Sequence, residues 1–199
     1  MTFIHNPPPL LKAWMLISSI IVLWDAAYVF LRPYSLPNSP SPLHYIWYPY
    51  KHYAPVDHNY SIAGYLAGDG FPAAQSILNV IESGLNLTYL FLASKAATAP
   101  TPAQKRRQEV AAVIVGLVGT VMTESKTGLY WLTEICGGWG GAEAELWSLP
   151  FGTLFWFWLL PNGFWLTMPA WCAWRFSKDL VRGVVGEDGQ QGVERKKVR

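Results

Sequence analysis

Asp25, Glu82, Glu124, Asn79, Asn86 and Asn162 are acids and amides set in stretches otherwise built from Leu, Ile, Val, Phe and Trp. A charged side chain at the centre of a membrane helix costs about 2.5–3.5 kcal/mol even on a lenient insertion scale, so each needs a partner or a purpose. Gln75, Asn79, Glu82 and Asn86 follow at intervals of four, three and four, which stacks them on one helical face. Thr120, Thr123 or Glu124, Thr127, Tyr130 or Trp131, and Glu134 repeat the pattern further on. Asp25, Tyr28 and Arg32 share a face, and Asn162 stands one turn before Trp165 amid Phe155, Trp156, Phe157, Trp158 and Phe164.

A carboxyl desolvated in an apolar pocket can hold a proton near neutrality and donate it. Tryptophan faces stabilise a cation through the ring quadrupole. Together these suit carbocation chemistry: protonation of an alkene or epoxide in a greasy substrate, stabilisation of the cation, and loss of a proton elsewhere. The same elements describe a receptor pocket for a lipophilic amine, with the acid as counter-ion, and sequence physics leaves both open. Gln75, Thr120 and Thr123 also fit a plain role as interhelical hydrogen-bonding groups. Asp25 has Arg32 as a candidate partner, and Lys126 either pairs with Glu124 or snorkels to an interface.

Four apolar stretches, about 10–31, 71–94, 110–133 and 150–176, are long enough to cross a hydrocarbon layer of about 30 Å. The expectation is an all-α integral membrane protein, a bundle of four main transmembrane helices over residues 1–180 followed by a basic tail over 181–199. The first stretch is too long and too aromatic for a cleaved signal peptide. Between the first two lies a segment with Pro33, Pro37, Pro40, Pro42, Pro49 and Pro55 interleaved with Tyr and Trp, read as an ordered aromatic cap on the membrane face. Gly137-Gly138-Trp139-Gly140-Gly141 turns the chain between the last two stretches.

Basic residues cluster at Lys105-Arg106-Arg107 and in the tail from Arg175, which places both ends in the cytosol and the cap in the lumen. Counted from the lumenal ends, Asp25, Glu82, Glu124, Thr127 and Asn162 fall roughly 9–16 Å deep, which makes them one pocket opening toward the cap. Lys196-Lys197, third and fourth from the end, resemble a dilysine retrieval signal for the endoplasmic reticulum. Asn59-Tyr60-Ser61 reads as a lumenal glycosylation acceptor. Cys136 and Cys172, at opposite ends of their segments, read as free packing thiols. The four histidines lack ligand spacing, so no metal is expected; no phosphate loop or nucleophile elbow appears, and no cofactor is implied. The charge pattern argues against nucleic acid; the partners expected are a lipophilic small molecule and membrane lipid, with a homodimer left open.

Several pieces recur together: Lys51-His52-Tyr53-Ala54 with Asp57 and Tyr60, Gly68-Asp69-Gly70, Glu82, Gly128-Leu129-Tyr130-Trp131-Leu132-Thr133-Glu134, and Asn162 with Trp165-Leu166 and Pro169. In this order they resemble the emopamil-binding protein family, the EXPERA-domain sterol delta-8/delta-7 isomerases and their relatives. The resemblance implies an endoplasmic reticulum membrane protein that holds a sterol-like molecule in its bundle. It implies that Glu82, Asn162 and Trp165 line the pocket and help stabilise a cation. The isomerases place a histidine in the first helix with a glutamate one turn later; here Asp25 and Val29 stand at those positions. Three outcomes follow: an isomerase or cyclase of another isoprenoid with Asp25 as acid or base, a sterol isomerase with a rearranged relay, or a non-catalytic sterol or amphipathic-amine binding scaffold. The site residues expected are Asp25, Glu82 and Glu124 for catalysis, and Tyr28, Asn79, Asn86, Thr127, Tyr130, Asn162 and Trp165 for binding.

Overall fold

The computed structural model describes residues 5–137 and 144–185, which are helical and turn structure without strands. The expected glycine turn lies largely, and the Lys196-Lys197 signal wholly, outside the described residues. Helix α1 spans Pro9–Phe30, α2 Phe71–Ala97 and α3 Pro102–Gly137. The first and third open on proline at the first turn, where its missing N–H costs nothing. In α3 the Thr101 hydroxyl also accepts from Gln104 N at 3.2 Å.

These three helices are long and apolar enough to cross a membrane. The fourth expected stretch is helical but interrupted: Phe151–Leu154, then a π turn at Phe155–Leu159, then α4 over Leu160–Val185. Its most apolar residues fall before α4 begins, while Arg175, Lys178, Asp179 and Arg182 lie within it, so α4 does not meet the same measure of length and apolarity. The gap left between the second and third expected stretches is also narrower than read, because α2 runs to Ala97 and α3 begins at Pro102, taking Lys105-Arg106-Arg107 into its first turns.

Helix α1 packs on α2, α2 on α3, and α3 on α4. Trp14 of α1 lies against Trp165 of α4, ring centroids 5.2 Å apart, and His5, which precedes α1, places Nδ1 at 2.8 Å from Asp179 Oδ2 of α4. The polarity is inverted relative to a water-soluble bundle. Leu16, Ile17, Ile20, Ile77, Ile81 and Val118 are exposed, whereas Asn79, Glu82, Asn86, Thr120, Thr127 and Glu134 are buried. That arrangement is what hydrocarbon surroundings demand.

The apolar core is divided. At one end Leu11, Met15, Tyr89, Val113, Cys172 and Phe176 pack together. Cys136 is exposed rather than packed, so only Cys172 fits the expected role. At the other end the segment between α1 and α2 folds onto the helices as short turns, Pro42–Trp47, Tyr50–Tyr53, His58–Tyr60 and Ile62–Leu66. Its compactness depends on Gly64, where an added Cβ would lie 2.5 Å from His58 O, and on Gly68, whose φ of 73° favours glycine. Asp69 Oδ1 then accepts from Phe71 N at 2.9 Å, starting α2. The Gly68-Asp69-Gly70 motif is thus a helix-start device.

Candidate functional site

A cavity of about 380 Å³ lies between the helices beneath the aromatic turns, within the range of small-molecule sites. Its polar wall is formed by Asp25 from α1, Gln75 and Asn79 from α2, and Thr123, Lys126 and Thr127 from α3. Tyr50, Tyr53 and Tyr60 close it from the cap, and Trp156, Phe157 and Trp165 from the last segment. Ile21 and Trp156 line it and are also exposed, at 47% and 64%, so the cavity opens at the seam between α1 and the π turn.

Asp25 is held as an acceptor. Tyr50 OH donates to its Oδ1, Tyr60 OH to its Oδ2 at 3.1 Å, and Asn79 Nδ2 to its Oδ2 at 3.5 Å. It does not pair with Arg32, whose Nη2 donates to Asn59 O at 2.8 Å while its guanidinium lies over the Tyr28 and Tyr60 rings. Residues beyond the end of α1 are carried off its face by the turn that starts at Leu31, which separates Arg32 from Asp25.

Lys126 pairs across helices rather than along its own. Its Nζ is 2.9 Å from Glu82 Oε2, an ion pair whose angle falls outside hydrogen-bond geometry, and it donates to Asn79 Oδ1. The expected pairing with Glu124 fails because residues two apart on a helix do not face each other. Of the three acids expected to act, Asp25 reaches the cavity. Glu82 is buried behind Lys126, and Glu124 is not among the lining residues, Thr123 taking that face instead.

Of the residues expected to bind substrate, Asn79, Thr127, Tyr130, Asn162 and Trp165 line the cavity. Tyr28 and Asn86 do not. Tyr28 is fully buried, stacked on Tyr50 with centroids 4.1 Å apart and donating to Tyr60 O at 2.8 Å, so it supports the cap. Asn86 lies deeper along α2 against Gly119, where an added Cβ would be 3.0 Å from its Oδ1.

Helical periodicity does not find the cap residues of this candidate site: Tyr50, Tyr53 and Tyr60, which line the cavity, and Asp57, which holds Tyr53. Asp57 Oδ2 accepts from Tyr53 OH at 2.7 Å and from Tyr130 OH, and its Oδ1 accepts from Asn59 N at 3.1 Å. Burial pushes the Asp57 carboxyl above its ordinary range, and these hydrogen bonds pull it back only in part. Burial likewise holds the Tyr50, Tyr53 and Tyr60 phenols well above their usual value, with the neighbouring carboxylates adding to it. They are therefore proton donors in hydrogen bonds at neutral pH. Asn59 is 5% exposed and its Nδ2 donates to Glu134 Oε1 at 2.9 Å, so the expected glycosylation nitrogen is occupied inside the fold.

The π turn sets the last wall. Wider i→i+5 turns displace carbonyls from the α register, and such bulges recur at functional sites. Here Asn162 Nδ2 donates to Trp158 O at 2.9 Å and reaches Tyr53 OH at 3.5 Å. Trp158 is fully buried against Trp131 and Tyr130, while Trp156 and Phe157 are left to the cavity, so the aromatic run divides between packing and ligand wall.

No protein-family model, curated protein or solved structure matches this chain. The site therefore stands on its own geometry: a carboxyl held by phenols, facing a cavity walled by aromatic rings.

Proposed function

We propose that the chain is a membrane-embedded acid/base catalyst, an isomerase or cyclase that acts on a lipophilic sterol or terpenoid-like substrate through a carbocation. The observation that carries this is Asp25, a carboxyl on the polar wall of a cavity rich in aromatic rings, tied to Tyr50, Tyr60 and Asn79. In this reading the Asp25 carboxyl gives a proton to an alkene carbon or epoxide oxygen. Ring faces such as Trp165 and Tyr53 hold the cation, and the carboxylate regains a proton from a neighbouring carbon. The proton count closes on one residue. Membership of the emopamil-binding protein family, four membrane crossings, cytosolic ends and residence in the endoplasmic reticulum belong to the same proposal, supported by the ordered motifs and the basic clusters.

The test is conversion of sterol and terpenoid panels in heavy water by membranes carrying wild-type protein or Asp25→Asn. The wild type is expected to yield product bearing solvent deuterium, and Asp25→Asn to lose about 100-fold or more in rate. A correctly folded Asp25→Asn protein that converts substrate at the wild-type rate refutes the reading. The receptor alternative rests on the same contact, since a lipophilic ammonium would pair with Asp25 among tyrosine rings. It predicts saturable binding of an amphipathic amine that Asp25→Asn abolishes.

A further inference from the structure

The acid/base reading leaves Lys126 without a task, although it lines the cavity and its side chain is only 10% exposed. An ammonium carries three N–H donors. Asn79 accepts from one of them, Glu82 lies 2.9 Å away as counter-ion, and no further partner of Nζ is found among the described residues. Glu82 balances the charge from behind, since it is 2% exposed and does not line the cavity. A buried donor left unmatched favours any ligand that brings an acceptor to it. Asn79 fixes where that acceptor sits. Its Oδ1 accepts from Lys126 and its Nδ2 donates to Asp25, so one amide joins the ammonium to the carboxyl.

Resting on the reading of this cavity as the site of a lipophilic substrate, we infer that Lys126 determines specificity by donating a remaining N–H to an oxygen acceptor, such as a ketone, on an otherwise hydrocarbon skeleton. The amide link places the oxygen anchor and the proton-transferring carboxyl on adjoining walls. The substrate class is then a lipophilic ketone or alcohol that reacts near its oxygen-bearing end. The ammonium also disfavours a substrate that carries an amine at that end.

Equilibrium binding of tritiated cholestanone and cholestane, which share a skeleton and differ by one oxygen function, to the full chain in nanodiscs tests this. Wild-type protein is expected to bind the ketone at least about tenfold more tightly than the hydrocarbon. Glu82→Met with Lys126→Met removes the charges as a pair, and is expected to leave cholestane affinity within about twofold and abolish the preference. Lys126→Arg keeps the charge pair but moves its donors, and is expected to weaken the ketone alone. A preference that persists in the double variant, or ketone affinity unchanged in Lys126→Arg, overturns the role of Lys126. Equal, saturable binding of both steroids by wild type overturns it too, while leaving the cavity a lipophile site. Saturable binding of neither overturns the reading of the cavity along with it.

Discussion

The Glu82–Lys126 pair gives the sharpest energetic prediction. Both side chains are nearly enclosed, at 2% and 10% exposure, and their charged atoms are 2.9 Å apart. Removing one partner of such a pair leaves a buried charge without compensation, which costs about 3–5 kcal/mol. Glu82→Met and Lys126→Met are each expected to fall in that range, or roughly 6–20 °C in unfolding midpoint for a chain of this size. The double variant replaces the pair by two thioether chains of similar length. It forfeits the Asn79 hydrogen bond, worth about 1 kcal/mol, and little else, so it is expected within about 1–2 kcal/mol of wild type. The coupling energy of the cycle is then at least about 4 kcal/mol. Thermal unfolding of the four proteins in one detergent, followed by tryptophan fluorescence, measures it. Additive effects, or a Glu82→Met variant as stable as wild type, refute the pairing.

Gly116→Ala places a Cβ 2.5 Å from Phe176 Cζ, on a ring with no exposure, and is expected to destabilise by about 1–3 kcal/mol, an effect that Phe176→Leu relieves on the same melting curves. Trp158→Ala empties the space between Trp131, Trp147 and Tyr130 and is expected to cost about 3–5 kcal/mol by the same measurement. Asp57 binds its proton more tightly folded than unfolded, so the stability it contributes is complete below the ordinary carboxylate value of 3.8. That contribution is lost as pH rises toward the elevated folded value. Melting curves over this acid range are expected to show the decline in wild type and its absence in Asp57→Asn.

The α2 stripe was legible because one helix carries its own period: Asn79, Glu82 and Asn86 turn inward together whatever surrounds them. The same logic found Thr127, Tyr130 and Glu134 on α3. What periodicity cannot report is depth, so Asn86 shares the face but lies against Gly119 beyond the cavity. Nor can it report a partner on another helix, and Glu82 with Lys126 is such a case, 44 positions apart in number and 2.9 Å apart in space. The cap was readable as aromatic and ordered, but not as a wall. Tyr50 and Tyr60 reach Asp25 only because the turns around Gly64 and Gly68 fold the segment down, a long-range outcome with no local signature. The interruption at Phe155–Leu159 was equally hidden, since a run of five aromatic and leucine residues reads as continuous helix.

His5 and Asp179 are 174 positions apart in the chain, yet 2.8 Å separates their side chains, and His5 Nε2 also lies 3.1 Å from Tyr89 OH. This contact makes the bundle nearly a closed loop, with its first and last described elements leaving from the same corner. A peptide joining positions 5 and 179 need span little distance, which marks the bundle for circular permutation. A fluorophore pair at those two positions would likewise report, by energy transfer, whether the segment before α1 stays on α4 or parts from it.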